Sequence, residues 1–485
     1  MRLRRVIHRV FDRLPRAEEF QLTEALFLRL LGLVYLSSFG SFAVQIVGLV
    51  GSHGVQPASQ FLNAIREQYG ASAFGLVPTL FWLGISDRAL VTVCVAGCVC
   101  GLLMASGYFV RLSAALCWVL YLSIVVIGQP FSNFQWDALL LEAGFLALFA
   151  GAPVARWAYR LLLFRLMFES GLVKLTSHDP NWRNLHALRF HFMTQPLPNP
   201  VAWYAAQLPS WALDSMTGVT LGIELAAPWF LFAPKRFRSA AVLSLIFMQV
   251  MILVTGNYAF FNYLTLALCL WGFDDSAFAG LARFLRRRVF TIRAEPPKVA
   301  ASGALILLLV LGGGTCVGTL QPSFDRTTSR VLALVAPFEI VNTYGLFAVM
   351  TTTRPEIVIE GSNDQVRWEE YAFRHKPGDL RHGLSFVAPH QPRLDWQMWF
   401  AALGTYPENT WVGSLTYRLL TGEPSVLGLL ATPPFAKPPK YIRATLYEYR
   451  FTTSAEYAQT GNRWQRTLLG PWYGPVLLRD TLGPK

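Results

Sequence analysis

Apolar runs recur along the first two-thirds of the chain and are separated by short segments rich in arginine and lysine. A helix of about 20 apolar residues crosses the hydrocarbon region of a bilayer. A shorter run near residues 74–83 contains Pro78, which predicts an interfacial or re-entrant segment. The long runs predict about nine transmembrane helices, near residues 30–50, 89–109, 112–128, 137–152, 157–175, 215–233, 239–255, 257–272 and 301–320.

The last third of the chain has a different pattern. The strings PEIVIEGS, KYIRATLYEY and PVLLRD alternate apolar and polar residues between Pro, Gly and Asp clusters, which predicts short strands and turns. Residues 389–403 and 410–430 are predicted to be helical instead. We therefore predict a basic cytoplasmic N-terminus (1–25), a polytopic α-helical membrane bundle (26–320) and a soluble, extracytoplasmic, β-rich α+β domain (321–485).

Composition and charge agree with this division. Hydrophobic residues make up 53% of the chain and charged residues only 15%, so lipid is the expected solvent for much of the surface. The net charge of +13 comes from clusters between apolar runs, such as those starting at Arg2 and Arg283. Such clusters mark cytoplasmic segments and favour membrane lipids over nucleic acid as partners. An odd number of spans then puts the C-terminal domain outside the cytoplasm.

The cysteines provide no disulfide framework for the C-terminal domain. All six lie inside apolar runs, at positions 94, 98, 100, 117, 269 and 316. They are predicted to be packing residues, because neither disulfide nor zinc-ligand spacing is present. We therefore expect no metal site from cysteine.

Ionisable residues inside predicted spans are costly and are candidates for a functional role. They are Asp137, Glu142, Arg165, Glu169, Lys174 and Glu224. Arg165 and Glu169 are spaced i, i+4, so a self-satisfied helix pair is the plainer reading. Asp137 lies at a predicted boundary and is open to water in that reading. Glu142 and Glu224 lie deeper in their spans, and each is interpreted either as a hydrogen-bonded carboxyl or as a catalytic one.

Lys174 ends a predicted span just before a polar loop. Snorkelling to the interface is one interpretation, and a partly desolvated lysine that serves as a base is the other. The loop contains His178, His186 and His191, whose spacing matches no established metal pattern. Trp182 in the same loop is assigned either to an interfacial aromatic belt or to a ligand site.

Several long strings point to a known family. They include NFQWDALLLEAG from Asn133, LLLFRLMFESGLVKL from Leu161, TQPLPNPVAWY from Thr194, GNYAFFNYLTL from Gly256, FEIVNTYGLFAVMTTTRPEIVIEGS from Phe338 and RLDWQMWFAAL from Arg393. In this order they resemble lipase maturation factors. The resemblance implies a non-enzymatic membrane protein that assists folding and export of secreted lipases or other clients. Its C-terminal domain would then face the client.

The resemblance also singles out individual residues of the C-terminal motifs, namely Asn342, Tyr344, Gly345, Arg393, Asp395, Trp396 and Trp399. Each has a structural alternative. Turn formation explains Asn342 and Gly345, and a buried pair between Arg393 and Asp395 with aromatic packing explains the others. The chain has neither an N-glycosylation sequon nor an ER-retrieval ending, which favours a bacterial inner membrane over the ER membrane of eukaryotic relatives.

A second, shorter resemblance gives the competing hypothesis. The string SGLVKLTSHDPNW is similar to a segment of vitamin K-dependent gamma-carboxylases, in which a lysine acts as base on a reduced quinone. It implies a membrane enzyme with a quinone-like lipid cofactor, with Lys174 as base and Glu169, His186 or His191 assisting. Convergence of Lys174, Asp137 and Glu142 on one pocket would favour that reading.

Overall fold

The computed structural model describes residues 20–278, 280, 299–320, 332–381 and 383–481. The arginines of the predicted N-terminal segment before residue 20 and the basic cluster at 283–298 lie outside the described residues. Two regions are distinguished below: the helical region up to residue 320, and the C-terminal region from residue 332 onward.

Fifteen α-helices lie in the described residues of the helical region. They are α1 (Gln21–Ala43), α2 (Ile46–Val50), α3 (Ala58–Tyr69), α4 (Ala73–Leu76), α5 (Asp87–Ser106), α6 (Val110–Ile127), α7 (Gln135–Leu146), α8 (Ala155–Thr176), α9 (Pro180–Arg183), α10 (Ala187–Thr194), α11 (Pro200–Ala206), α12 (Ser210–Ala226), α13 (Lys235–Thr255), α14 (Phe261–Cys269) and α15 (Val299–Leu320). Short 3-10 helices include Leu80–Leu83, Gln129–Ser132, Ala147–Phe149, Ala227–Phe232 and Leu270–Gly272.

Five helical segments in the described part of the chain are long and apolar enough to cross a membrane: α1, α5, α6, α13 and Ser210–Phe232. Two shorter apolar segments, Phe261–Gly272 and Leu305–Gly314, coincide with further predicted spans. The predicted count of nine is not confirmed. The segment near Pro78 forms two short helical turns, α4 and Leu80–Leu83, in agreement with the non-spanning prediction.

The helices α7 and α8 explain much of the difference in span number. Only 12 residues form α7, and nine of them are buried inside the protein. The 22 residues of α8 include several buried charged side chains, among them Arg160, Arg165 and Lys174. Both helices therefore lie in the protein interior, where other chain segments supply the polar partners.

Small residues allow α1 and α5 to pack at backbone distance. A Cβ added at Gly32 would lie 2.5 Å from the Ala105 nitrogen, and one added at Gly101 would lie 2.9 Å from the Gly32 oxygen. Close approach of this kind replaces the hydrophobic effect as a source of helix association in lipid. We infer that α1 and α5 form a fixed pair.

The described residues of the C-terminal region form an antiparallel sheet with the strand order β2-β1-β3-β4. Its strands are β1 (Pro355–Ser362), β2 (Glu369–Glu370), β3 (Tyr441–Phe451) and β4 (Trp464–Val476), and its helices are α16 (Arg393–Ala402), α17 (Thr410–Thr421), α18 (Pro424–Leu427), α19 (Ser454–Thr460) and α20 (Leu478–Thr481). The predicted strands at 355–362 and 440–449 and both predicted helices are present. The string PVLLRD is not a strand of its own, because β4 ends at Val476 and α20 follows.

Candidate functional site at the seam

The helical and C-terminal regions meet along a continuous buried contact, which we call the seam. Arg393, the first residue of α16, enters it from the C-terminal side. Its Nη1 and Nη2 donate to the two carboxylate oxygens of Asp137 at 2.9 and 2.8 Å, and Nη1 also donates to the Phe131 carbonyl at 2.6 Å. The guanidinium lies 3.6 Å from the ring centroid of Phe42 on α1. One side chain thus joins three segments of the helical region to α16.

Asp137 is fully buried and receives a further hydrogen bond from the Tyr121 hydroxyl on α6. The prediction that Asp137 is open to water at the end of a span is therefore wrong, since protein donors satisfy its carboxylate. The predicted Arg393 to Asp395 pair is also wrong. Asp395 instead accepts the backbone N–H groups of His375 and Lys376 at 2.8 and 2.9 Å. Burial is the main influence on that carboxyl and raises its pKa.

Glu142 organises a second cluster in the seam. One of its oxygens accepts from Arg165 Nη1 at 2.6 Å, and the other accepts from the Asn342 backbone N–H at 3.0 Å and the Tyr344 hydroxyl at 2.9 Å. Arg165 also donates to the Asn342 carbonyl. The string VNTYG, predicted to hold turn residues, is therefore fastened to α7 and α8 by its backbone and by the Tyr344 side chain.

Glu169 completes this cluster from the next turn of α8. Its Oε2 accepts the Tyr344 backbone N–H at 2.8 Å, while Oε1 lies 3.7 Å from Arg165 Nε. The predicted i, i+4 pair is thus present, but Glu142 is the closer partner of Arg165. The three charged groups of this cluster all belong to the helical region, and the C-terminal region completes it with uncharged donors from the Asn342 and Tyr344 segment.

Lys174 does not snorkel. The side chain is 3% exposed, and its Nζ donates to both oxygens of Glu224 on α12 at 2.7 Å. The same ammonium lies 5.1 Å from the centroid of Trp182, whose indole N–H donates to the Phe347 carbonyl at 2.9 Å. Trp182 therefore belongs to the seam and supports the ion pair, and its indole is not part of an exposed aromatic belt.

A cavity of about 560 Å³ lies beside this ion pair. Its walls come from α8, α12 and α13 on one side and from residues 345–351 and α16 on the other. Lys174, Glu224 and Trp396 line it, whereas Asp137 and Glu142 are not among its lining residues. The three ionisable residues considered for an enzyme site thus take part in three separate clusters.

The histidines proposed to assist such a site do not line the cavity, although His191 contacts the lining residues Tyr258 and Phe347. His191 on α10 is within 3.1 Å of the Tyr258 hydroxyl, and burial, reinforced by Lys174, lowers its pKa to about 4. His186 immediately precedes α10, where its backbone N–H donates to the Asn181 carbonyl at 2.7 Å. Neither ring lines the cavity. Among the described residues, no group of three His, Cys, Asp or Glu side chains has the arrangement of a metal site.

A fourth buried charge cluster, formed by Arg354, Glu356 and Lys376, was not predicted from the sequence. Arg354 lies 2.9 Å from one oxygen of Glu356 and Lys376 lies 3.0 Å from the other. Arg354 also donates to the carbonyl of Met193 at the end of α10 at 2.7 Å and to that of Pro196 in the following loop at 2.8 Å. The signal was available, because Arg354 immediately precedes a predicted strand within the string TTTRPEIV and the loop carries the string TQPLPNP.

The Lys174 to Glu224 pair provides a test of burial. Lys174→Met leaves Glu224 without its cation in a buried site, so we expect a loss of about 3–5 kcal/mol in stability. The double variant Lys174→Met with Glu224→Leu removes both charges and should recover most of this loss. Thermal unfolding of the purified chain in detergent gives the comparison. Equal stability of parent and single variant would show that Lys174 is not a buried partner of Glu224.

Sequence comparisons cover both regions of the seam. Residues 22–280 match the lipase maturation factor transmembrane domain, and residues 340–474 match the lipase maturation factor C-terminal domain. The chain belongs to the lipase maturation factor family. Lipase maturation factor 1 of Mus musculus is 33% identical over 95% of this chain and 88% of the relative, and lipase maturation factor 2 of Xenopus laevis is 33% identical over 95% and 83%. No solved structure matches.

This lipase maturation factor-like protein is thus a membrane protein, and its relatives align with both its helical and its C-terminal region. The strings that first suggested the family meet at the seam. NFQWDALLLEAG supplies Asp137 and Glu142 and ESGLVKL supplies Glu169, and the strings VNTYG and RLDWQMWF supply partners for these three carboxylates. Much of the recognisable family sequence in this chain therefore lies where the two regions are joined.

Proposed function

We propose that this protein promotes maturation of an exported lipase and that its C-terminal sheet carries the surface for that client. Family membership over both regions supports the client class, because the relatives are named for lipase maturation. The single structural observation that carries the proposal is the seam. The buried Arg393–Asp137 ion pair, together with hydrogen bonds from the 342–344 segment to Glu142 and Glu169, fastens the C-terminal region to the helices, which suits a membrane-anchored platform that presents a fixed surface.

The edge strand β4 is the proposed client surface. Within the described part of the chain, β4 pairs with β3 on one side and with no strand on the other. Leu468 and Leu469 at its centre are 60% and 55% exposed. An open strand edge with exposed apolar side chains favours pairing with an extended segment of another chain.

A secretion assay tests the client proposal. An exported lipase encoded by the same genome is expressed in a parent strain, a deletion strain and strains carrying variants of this protein. Deletion is expected to lower the specific activity of the secreted lipase, and the double variant Leu468→Asp with Leu469→Asp should lower it similarly. Val366→Asp is the matched control, because Val366 is 81% exposed but lies on the β1–β2 turn.

Two results would contradict the proposal. Unchanged lipase activity in the deletion strain would contradict the proposal that an exported lipase is the client. If the β4 variant is produced at the parental level and supports parental lipase activity, β4 is not the client surface. The proposed role in lipase maturation would be unaffected by that result.

The proposed topology has nine crossings, with α7, α8, α14 and α15 added to the five long apolar segments, in a bacterial inner membrane. It puts the C-terminal region outside the cytoplasm. A cysteine introduced at Val366 should then react with a membrane-impermeant maleimide in spheroplasts. The native cysteines lie in apolar runs, so they contribute little background. Reaction only after lysis would show that the C-terminal region lies in the cytoplasm.

A further inference from the structure

A second cavity, of about 500 Å³, lies at the end of α6, where residue 339 of the C-terminal region meets the helical region. Its described lining residues include four uncharged polar side chains, those of Gln129, Ser132, Asn133 and Gln135. Glu339 is the one charged residue among the described lining residues. A wall with acceptor oxygens, one acid and no base favours a ligand that is cationic and donates hydrogen bonds.

Glu339 is held in place by its backbone, and its carboxylate has no partner. Its φ of 52° is a left-handed conformation that few residues other than glycine adopt, and its carbonyl accepts from Asn342 Nδ2 at 3.1 Å. The side chain is partly exposed and lines the cavity. Within the described residues, its carboxylate has neither a hydrogen bond nor an ion pair. A bound cationic donor would supply both.

The charges that act on Glu339 are negative. Among the described residues they are Glu142 and Asp137 on α7. The cations Arg165 and Arg393 are already paired with these two acids. Burial, reinforced by Glu142 and Asp137, raises the pKa of Glu339 to about 7. A cation in the cavity would offset this repulsion and stabilise the ionised carboxylate.

Helix α6 adds negative potential and relates the cavity to the bilayer. Val125 and Val126 in its last turn line the cavity, and a helix C-terminus carries partial negative charge. The 18 residues of α6 rise about 27 Å, close to the hydrocarbon thickness of about 30 Å. A helix of this length that crosses the bilayer ends near the lipid head groups. We therefore expect the cavity at the level of the head groups.

The wall suits an organic ammonium better than a metal ion. Calcium takes about six to eight oxygen ligands, several of them carboxylates. The described wall supplies a single carboxylate, and the described residues contain no group of three acidic, His or Cys side chains placed for a metal. A primary ammonium instead has several N–H donors, which the Glu339 carboxylate and the amide oxygens of Asn133 and Gln135 can accept.

We propose that this cavity binds a primary ammonium group, carried by an ethanolamine lipid head group or by a free alkylamine, with the Glu339 carboxylate as its counter-ion. The amide oxygens of Asn133 and Gln135 are the further acceptors, and Val125 and Val126 contact the carbon atoms next to the nitrogen. The lipid is the expected source, because the end of α6 is expected at the level of the head groups. This site is independent of the proposed client surface, since it shares no residue with β4.

Equilibrium dialysis of the purified full-length protein in detergent against radiolabelled ethanolamine tests the ammonium site. We expect saturable binding with one site per chain. Glu339→Gln keeps the size of the side chain but removes its charge, so the affinity should fall about tenfold or more, as expected for a charged hydrogen bond. Glu369→Gln is the matched control, because Glu369 is exposed in the same region and does not line the cavity.

The titration of Glu339 provides an independent test. With a pKa of about 7, about a tenth of these carboxyls are ionised at pH 6 and about nine-tenths at pH 8, whereas ethanolamine stays charged at both. The affinity of the parent should therefore rise about tenfold from pH 6 to pH 8. Glu339→Gln should show no such rise. A parent affinity that does not change over this range would overturn Glu339 as the counter-ion.

Thermal unfolding separates binding from folding. Glu339→Gln removes an uncompensated, partly buried charge, so its unfolding temperature should not fall below that of the parent. If this variant does unfold more readily, the pH dependence of binding by the parent decides the matter.

A labelled oleoyl lysophosphatidylethanolamine distinguishes the two sources of the ammonium. Binding more than tenfold tighter than that of ethanolamine, and weakened by Glu339→Gln, would identify a lipid head group. Equal, Glu339-dependent affinities would support the ammonium site with a soluble amine as its ligand.

Competition checks the kind of cation. Lysophosphatidylcholine has a trimethylammonium without N–H donors, so it should displace the labelled lysophosphatidylethanolamine weakly, and calcium chloride should displace labelled ethanolamine weakly. Displacement by either competitor at the affinity of the primary amine would overturn the assignment. The absence of saturable binding of both labelled probes would overturn the site itself.

Discussion

Replacing Arg393 with alanine is expected to cost about 3–5 kcal/mol of stability and to detach α16 from the helical region. The substitution leaves Asp137, which is fully buried, with the Tyr121 hydroxyl in place of a bidentate cation. It also removes the donor to the Phe131 carbonyl and the contact with the Phe42 ring. The expected readout is a lower unfolding temperature in detergent and faster proteolysis between residues 383 and 410.

Charge and volume can be separated at this position. The double variant Arg393→Met with Asp137→Leu removes both charges and retains apolar bulk, so it should be more stable than Arg393→Ala alone. Arg381→Ala is the control, because Arg381 is exposed in the same region. Stability of Arg393→Ala equal to that of the control would show that the ion pair is not part of the seam.

Replacing Glu142 with alanine is the second large perturbation. Glu142 accepts from Arg165, from the Asn342 backbone and from the Tyr344 hydroxyl, so its removal leaves several buried donors unsatisfied at once. We expect a loss of about 3–5 kcal/mol. Hydrogen exchange should accelerate most in residues 338–350, because these are held to α7 and α8 through this carboxylate.

The location of the exchange distinguishes this prediction from general destabilisation. Arg393→Ala should leave the exchange of residues 338–350 less affected than Glu142→Ala does, since the two clusters have separate partners. Glu67→Ala, at an exposed position of α3, is expected to match the parent. Uniform acceleration across the chain in Glu142→Ala would mean that the carboxylate does not fasten this segment specifically.

Local pattern predicted the elements whose partners are near in sequence. Strands β1 and β3 and helices α16 and α17 follow from alternation or helical spacing within each string. The spans α1, α5, α6 and α13 follow from apolar length. The region of α7 and α8 was harder to predict. Its apolar runs are long enough to indicate helices that face lipid, whereas the residues are buried against other parts of the protein.

The candidate site was predicted as a set of residues but not as a set of pairs. Asp137, Glu142, Glu169, Asn342, Tyr344 and Arg393 were all named, and the structure places them in the seam. Their contacts across the seam join residues 175 to 256 positions apart in the sequence, from Glu169 with Tyr344 to Asp137 with Arg393. Spacing in the sequence favoured the neighbours Asp395 and Glu169 as partners, because single-sequence patterns report local geometry alone.

The wide separation of the seam partners has a consequence for biosynthesis. Asp137 and Glu142 leave the ribosome long before Arg393 and the VNTYG string are made. During that interval neither carboxylate has its C-terminal partners, and Asp137 has no cation. Because a bare charge in hydrocarbon is costly, α7 is expected to stay incompletely buried. Nascent chains that stop before residue 340 should therefore be substrates for membrane quality control, and the arrival of the last third of the polypeptide completes the assembly of helices inserted earlier.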